Sequence, residues 1–125
     1  MNIKLTSVFV DDQDKALKFY TEVLGFVKKR EIPAIRWLTV VSPEEPDGPE
    51  LLFEPNNNPA VIKYQKSIFK QGIPAAAFAV EDIYKEFERI KKTGVIFLMD
   101  PTKIGPVTQA LFDDTCGNII QIYQV

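Results

Sequence analysis

The sequence predicts an α+β protein built from two tandem modules, each with the element order β-α-β-β-β. One short pattern is present twice: VFVDD, KALKFY and LGF within residues 8–26 correspond to FAVED, KEFERI and TGV within residues 78–95. Each copy also closes alike, with a turn (PDG at 46–48, DTCGN at 114–118) before an apolar strand. Recurrence at a fixed spacing indicates a duplicated structural unit. Modules this short bury too little surface alone, so we predict a single domain with module one at 1–55, a linker at 56–72 and module two at 73–125.

In module one, alternation of apolar residues predicts a first strand over residues 2–10. Asp12 is a typical N-cap for a helix over 12–24, and Gly25 is a typical residue for ending it. Strands at 25–31, 35–41 and 50–54 follow, with a turn rich in proline and glutamate at 42–49.

The linker begins with PNNNP (55–59), which breaks regular structure, and its apolar spacing over 60–71 indicates a short helix. Module two repeats the order of module one. Its predicted strands cover 74–80, 95–99, 107–112 and 118–123, and its helix covers 82–92. A loop through Pro101 and Gly105 is predicted between the second and third of these strands.

Composition excludes several classes of function. The net charge is -2 and the lysines alternate with acidic residues along the helices, which argues against nucleic-acid and membrane partners. No apolar run approaches the length of a membrane span and no signal sequence is present, so we expect a cytoplasmic protein. The chain has no histidine and a single cysteine, Cys116, in a turn. Any chemistry must therefore use carboxylates, tyrosine, lysine or that cysteine.

The duplicated unit, the FY to LGF spacing at 19–26 and the turn at 113–118 resemble the glyoxalase, bleomycin-resistance and extradiol-dioxygenase superfamily, also called vicinal oxygen chelate proteins. The resemblance covers essentially the whole chain. It implies eight strands in two βαβββ modules that form a cupped mixed sheet around a cavity, usually completed by a second subunit. It also implies that metal-bearing members place their ligands on the first and last strands of each module.

Those ligand positions fall on residues that suit a metal poorly. Counting five residues back from Val10 and from Val80, and four forward from the glycines of the closing turns, gives Leu5, Ala75, Leu52 and Gln121. Only Gln121 has a donor atom, and a divalent ion needs several. We therefore predict no metal and no cofactor.

By strand alternation, the face that carries the ligand positions lines the cup. The expected ligand-binding residues are Leu5, Ser7, Phe9, Trp37, Leu52, Glu54, Ala75, Ala77, Ala79, Gln121 and Tyr123, with Arg36 as a further polar group. Ala75, Ala77 and Ala79 form a row of small side chains, which we call the alanine row. This row leaves volume for a ligand, or else it allows close packing of the two halves or of a partner subunit. Phe19 and Tyr20 are interpreted as core, and Asp113 and Asp114 as turn residues.

The leading hypothesis is a metal-free homodimer of this superfamily that binds a small apolar or aromatic organic molecule, as the resemblance to the bleomycin-resistance branch implies. The alternative is a glyoxalase- or dioxygenase-type enzyme (a lyase, isomerase or oxygenase), either metal-dependent or using Glu54 or Tyr123. A third possibility is an interaction module whose cup is filled and whose dimer surface is the functional part.

Overall fold

The computed structural model describes all 125 residues, Met1–Val125, and places them in two compact units, Met1–Lys63 and Tyr64–Val125. Eight strands form two four-stranded mixed sheets, one in each unit, which confirms the α+β class and the two tandem βαβββ modules. That the modules and linker make up one domain stays a prediction. No helix combines the length and the apolar character needed to cross a bilayer.

Module one contains strands β1 (Leu5–Val10), β2 (Val27–Ile32), β3 (Trp37–Val41) and β4 (Glu50–Pro55), with helix α1 (Gln13–Lys18) between β1 and β2. Module two contains β5 (Ala76–Ala79), β6 (Phe97–Ile104), β7 (Val107–Asp113) and β8 (Ile119–Gln124), with helix α3 (Ile83–Lys91) between β5 and β6. Helix α2 (Pro59–Lys70) occupies the predicted linker.

Both sheets have the same topology. The spatial order is β1-β4-β3-β2 in module one and β5-β8-β7-β6 in module two. The first strand of each module pairs in parallel with its last strand, whereas the other neighbours are antiparallel. The last strand of each module therefore lies inside its sheet, between the first strand and the third.

Equivalent caps start the first helix of each module. The carboxylate of Asp12 accepts a hydrogen bond from the Lys15 amide at 3.0 Å, and Asp82 accepts one from the Lys85 amide at 3.1 Å. These bonds satisfy amides that the first turn of a helix leaves without a partner. In module one the helix continues as a π-helical turn, Phe19–Val23, before Gly25 at φ 90°. The predicted helix 12–24 is thus confirmed in extent, although its last part is wider than an α-helix.

Each helix covers one face of its sheet. Tyr20 is fully buried, with its ring 4.9 Å from that of Phe53 on β4. In module two, the ring of Phe87 on α3 lies 4.7 Å from that of Phe97, which in turn lies 5.5 Å from Phe112. Phe19 is also buried, so both aromatic residues of the FY pair belong to the core, as predicted.

Several predicted boundaries are wrong. The first strand begins at Leu5, not at residue 2. Residues 35 and 36 do not belong to β3, because Pro33–Ile35 form a 3₁₀ turn and Arg36 then adopts a left-handed conformation at φ 54°. In module two, β6 continues through Pro101, where a loop was expected. The strand lies at the edge of its sheet and its register shifts between Met99 and Thr102, so the missing amide of Pro101 breaks no regular ladder.

Candidate functional site

The face of module one that α1 does not cover carries most of the predicted site residues of that module. Parallel pairing sets Ser7 beside Leu52 and Phe9 beside Glu54, and antiparallel pairing sets Leu52 beside Thr39. Side chains at directly paired positions point to the same side of a sheet. We call this surface the helix-free face of module one, and it includes Leu5, Ser7, Phe9, Arg30, Ile32, Trp37, Thr39, Glu50, Leu52 and Glu54.

Exposure differs strongly along this face. Leu5 is 42% exposed and Ser7 is also exposed, whereas Phe9, Trp37 and Glu54 are half-buried. Leu52 retains only 4% of its surface, so it packs as a core residue beside Ser7 and Thr39. Any ligand on this face would therefore touch Leu5, Ser7 and the aromatic residues far more than Leu52.

The corresponding face of module two carries the rest of the predicted residues. Ala77 pairs with Gln121, and Ala79 with Tyr123, while the Ala75 amide donates a hydrogen bond to the Ile119 carbonyl at 2.8 Å. The helix-free face of module two consists of Ala75, Ala77, Ala79, Gln109, Leu111, Gln121 and Tyr123. All three alanines of the row are exposed, and Gln121 and Tyr123 are half-buried.

A polar ladder crosses the face of module two. Gln121 Nε2 donates to Gln109 Oε1 at 3.1 Å, and Gln109 Nε2 lies 4.0 Å from the sulfur of Met99. This arrangement fixes both amides across neighbouring strands and leaves the Gln121 carbonyl oxygen without a protein donor. Sequence analysis selected Gln121 but missed Gln109, because the register of β7 against β8 is needed to place the two amides side by side.

A charged cluster on the face of module one also escaped sequence analysis. Thr39 Oγ1 donates to Glu50 Oε1 at 2.7 Å, and Arg30 Nε lies 3.2 and 3.3 Å from the two carboxylate oxygens. The Thr39 hydrogen bond, supported by the Arg30 guanidinium and opposed by burial, holds the pKa of Glu50 below its ordinary value of 4.5. Glu50 is therefore ionised at neutral pH. The sequence could not place Arg30 beside Glu50, because a one-residue bulge between Lys28 and Arg30 decides which side of β2 Arg30 occupies.

The remaining polar candidates have different surroundings. The carboxylate of Glu54 has no hydrogen bond or ion pair, and Arg36 lies in the turn before β3, where its carbonyl accepts a hydrogen bond from Gln13 at 2.7 Å. Asp114 is fully buried and accepts hydrogen bonds from the amides of Cys116 and Asn118, which confirms it as a turn residue. Cys116 is fully buried as well, which keeps it from acting as a surface nucleophile.

Four residues of these faces occupy the positions where metal-bearing members of the family place their ligands. Leu5 and Leu52 have hydrocarbon side chains, Ala75 has only a methyl group, and Gln121 offers one amide oxygen. No group of three or more histidine, cysteine, aspartate or glutamate side chains is placed to hold a metal ion. The residues at these positions therefore do not fit the family metal, which needs several nitrogen or oxygen ligands.

Comparison with known proteins assigns the family. Residues 2–122 match the model of the Glyoxalase/Bleomycin resistance protein/Dioxygenase superfamily, and the chain belongs to this superfamily. It is 59% identical to the Bacillus subtilis protein YurT over 99% of both chains. It is 28% identical to a probable lactoylglutathione lyase of Synechocystis, over 95% of this chain and 92% of the lyase.

Among solved structures, the chain is similar to TnmS3, an antibiotic binding protein from Streptomyces sp. CB03234. The TM-score is 0.78 and the sequence identity 28%, over 99% of this chain and 95% of TnmS3. The superfamily thus includes relatives of this chain that are described as enzymes and a relative that is described as a binding protein.

Proposed function

We propose that this protein binds a small, largely apolar or aromatic organic molecule without the help of a metal. The observation that carries the proposal is the chemistry of the four family ligand positions, where Leu5, Leu52 and Ala75 provide no donor atom. Around them, the helix-free faces combine apolar surface with a few polar groups, which is the usual composition of a small-molecule site. The similarity to TnmS3, an antibiotic binding protein, supports the binding of a small molecule.

The eleven predicted site residues are proposed as the ligand-binding set, in a cytoplasmic homodimer. Ser7, Gln121 and Tyr123 would orient polar groups of the ligand, while Phe9 and Trp37 would contact its apolar part. Trp37 is the single tryptophan of the chain and is half-buried on the face of module one. Its fluorescence therefore reports on that face alone.

The experiment is a titration of the purified protein with N-phenyl-1-naphthylamine, an uncharged aromatic probe, and with a panel of aromatic antibiotics. We expect saturable quenching or a shift of Trp37 emission, together with an increase in melting temperature, because a ligand that binds only the folded state stabilises it. Competition between the probe and the antibiotics would show that they share one site. Absence of saturable binding by every compound would contradict the proposal and favour an interaction module with a filled cup.

A lyase-type enzyme is the second candidate, favoured by the similarity to the Synechocystis lyase and by the unpartnered carboxylate of Glu54. Glu54 would be the proton-transferring group in a metal-free reaction, with Tyr123 as a second candidate. The test is an assay with the adduct of methylglyoxal and glutathione, with and without added Zn²⁺ or Ni²⁺. Turnover that Glu54→Gln abolishes would favour the enzyme, whereas the binding function predicts no turnover under either condition.

A further inference from the structure

The guanidinium of Arg30 is held in place on one side and has free donors on the other. Its Nε donates to Glu50, whereas its two NH₂ groups donate no hydrogen bond to the protein. The side chain is 57% exposed, and that of Glu50 is 18% exposed. An arginine in this state presents four N–H donors to solvent in a fixed plane.

Glu50, which accepts the hydrogen bond of Arg30, is itself held in place by a second hydrogen bond. Glu50 accepts the hydroxyl hydrogen of Thr39, which is fully buried on the central part of the sheet. Two successive hydrogen bonds therefore connect the exposed guanidinium to a rigid strand. This order lowers the conformational entropy that Arg30 would lose on binding a ligand.

Arg30 is also close to the aromatic part of the same face. It pairs with Thr39, and the next pair toward the start of β3 on the same side of the sheet is Ile32 with Trp37. Arg30 and Trp37 are thus diagonal neighbours, within reach of one planar molecule.

From this geometry we infer that Arg30 forms a recognition subsite for an oxyanion, a carboxylate, attached to the aromatic ring of the ligand. The inference rests on the proposed function and narrows its ligand class to acidic aromatic molecules. The two NH₂ groups of Arg30 would donate to the oxyanion while the ring lies against Trp37. Arginine suits this role because its planar fork matches two oxygen atoms at once.

The test uses three ligands with the same ring: 2-naphthoate, 2-naphthylmethanol and 2-naphthylmethylammonium. We expect the wild-type protein to bind the anion about ten-fold tighter than the alcohol, since a hydrogen bond between two charged groups is stronger than one to a neutral hydroxyl. Binding of the ammonium compound should be weakest. Arg30→Gln should remove the preference for the anion and change the affinity for the alcohol by less than about two-fold, and Arg30→Lys should keep part of the preference.

Lys28→Gln is the matched control, because it removes the same charge from the same strand. Lys28 lies on the other side of the β2 bulge and is paired with Glu31 at 3.0 Å, so the preference should persist. Melting temperatures of all variants establish that they are folded. If the alcohol binds as tightly as the anion, or if Arg30→Gln keeps the preference, the subsite is wrong while the binding function stands. If none of the three ligands binds although N-phenyl-1-naphthylamine or an antibiotic does, the subsite is wrong and the binding function stands, whereas failure of all these compounds overturns both.

Discussion

Thr39 and Glu50 are joined by a 2.7 Å hydrogen bond between a fully buried hydroxyl and a carboxylate on the neighbouring strand. Because the bond favours the ionised carboxylate, it lowers the pKa of Glu50 and couples its ionisation to folding.

A pH dependence of stability follows from this pair. A carboxyl group with a lowered pKa in the folded state stabilises the protein above its unfolded pKa and loses that contribution as pH falls through the folded value. The stability advantage of wild type over Glu50→Gln should therefore be full at neutral pH and shrink below about pH 4.5, the ordinary value for this group. Melting temperatures of both proteins between pH 3 and pH 7 measure the difference, and an advantage that grew on acidification would contradict the assignment.

Thr39→Val separates the effect of the Thr39 hydroxyl on the pKa of Glu50 from the effect of the Arg30 guanidinium. The variant keeps the shape of the side chain and Arg30, but it removes the largest cause of the low pKa of Glu50. We expect the pKa of Glu50 to rise toward 4.5. NMR titration of the side-chain carboxyl carbons in both proteins measures it, and Ser7→Ala is the control for loss of a hydroxyl on the same face. An unchanged pKa would mean that Arg30 alone maintains the shift.

Removal of metal should change nothing. Since Leu5, Leu52 and Ala75 contribute no donor atoms, we expect purified protein to contain less than stoichiometric Zn, Ni, Mn or Fe. Chelator should likewise leave the melting temperature unaltered. Elemental analysis that finds about one metal ion per chain would overturn this expectation and with it the metal-free function.

A substitution in the alanine row distinguishes a face that is open to a ligand from a face that is packed against protein. Ala77 is exposed, so Ala77→Leu should change the free energy of unfolding by at most about 0.5 kcal/mol while weakening binding of the naphthyl probes. Ala110 on β7 is fully buried, so the matched substitution Ala110→Leu should cost about 1–3 kcal/mol by overpacking the core. Chemical denaturation and probe titration measure both effects. A large loss of stability in Ala77→Leu without a binding defect would mean that the row packs against protein.

The closing turn of module two should not tolerate a side chain at Gly117. This residue has φ 103°, and a Cβ there would lie 2.7 Å from Nε2 of Gln65, which is buried and donates to Asn118 at 3.1 Å. Gly117→Ala should therefore destabilise the fold by about 1–3 kcal/mol. Gln65→Ala in the same chain would relieve the steric part and leave the backbone strain, so a double-mutant cycle should show coupling. Strict additivity would show that Gln65 moves aside freely.

The homodimer is a further expectation. Large apolar side chains remain exposed on both modules, among them Leu5, Ile35 and Leu98 at 42%, 65% and 50%. Apolar surface of this kind is commonly covered by a second copy in a two-fold assembly. Light scattering at micromolar concentration should give twice the mass of the chain, whereas a monomer mass would count against a site completed by a partner.

The parts of the fold that depend on local signals were predictable. Asp12 is predictable as a cap because aspartate is a preferred residue just before an amphipathic helix, and Asp82 has the same role in module two. Features that depend on register were not predictable. The pairing of Arg30 with Glu50 requires the bulge in β2 and the order of three strands, and the continuation of β6 through Pro101 requires two register shifts. Alternation alone predicts that Leu5 shares a face with Ser7 and that Gln121 shares one with Tyr123, but it could not show that Leu52 is buried.

The interior position of the last strand in each module has a consequence for synthesis and truncation. While the chain is being made, β1, α1, β2 and β3 emerge before β4, the strand that pairs with both β1 and β3, so the sheet of module one cannot close until residue 55 has left the ribosome. For module two the corresponding strand is β8, Ile119–Gln124. A chain that stopped before residue 119 would lack a central strand and leave β5 and β7 without their shared neighbour.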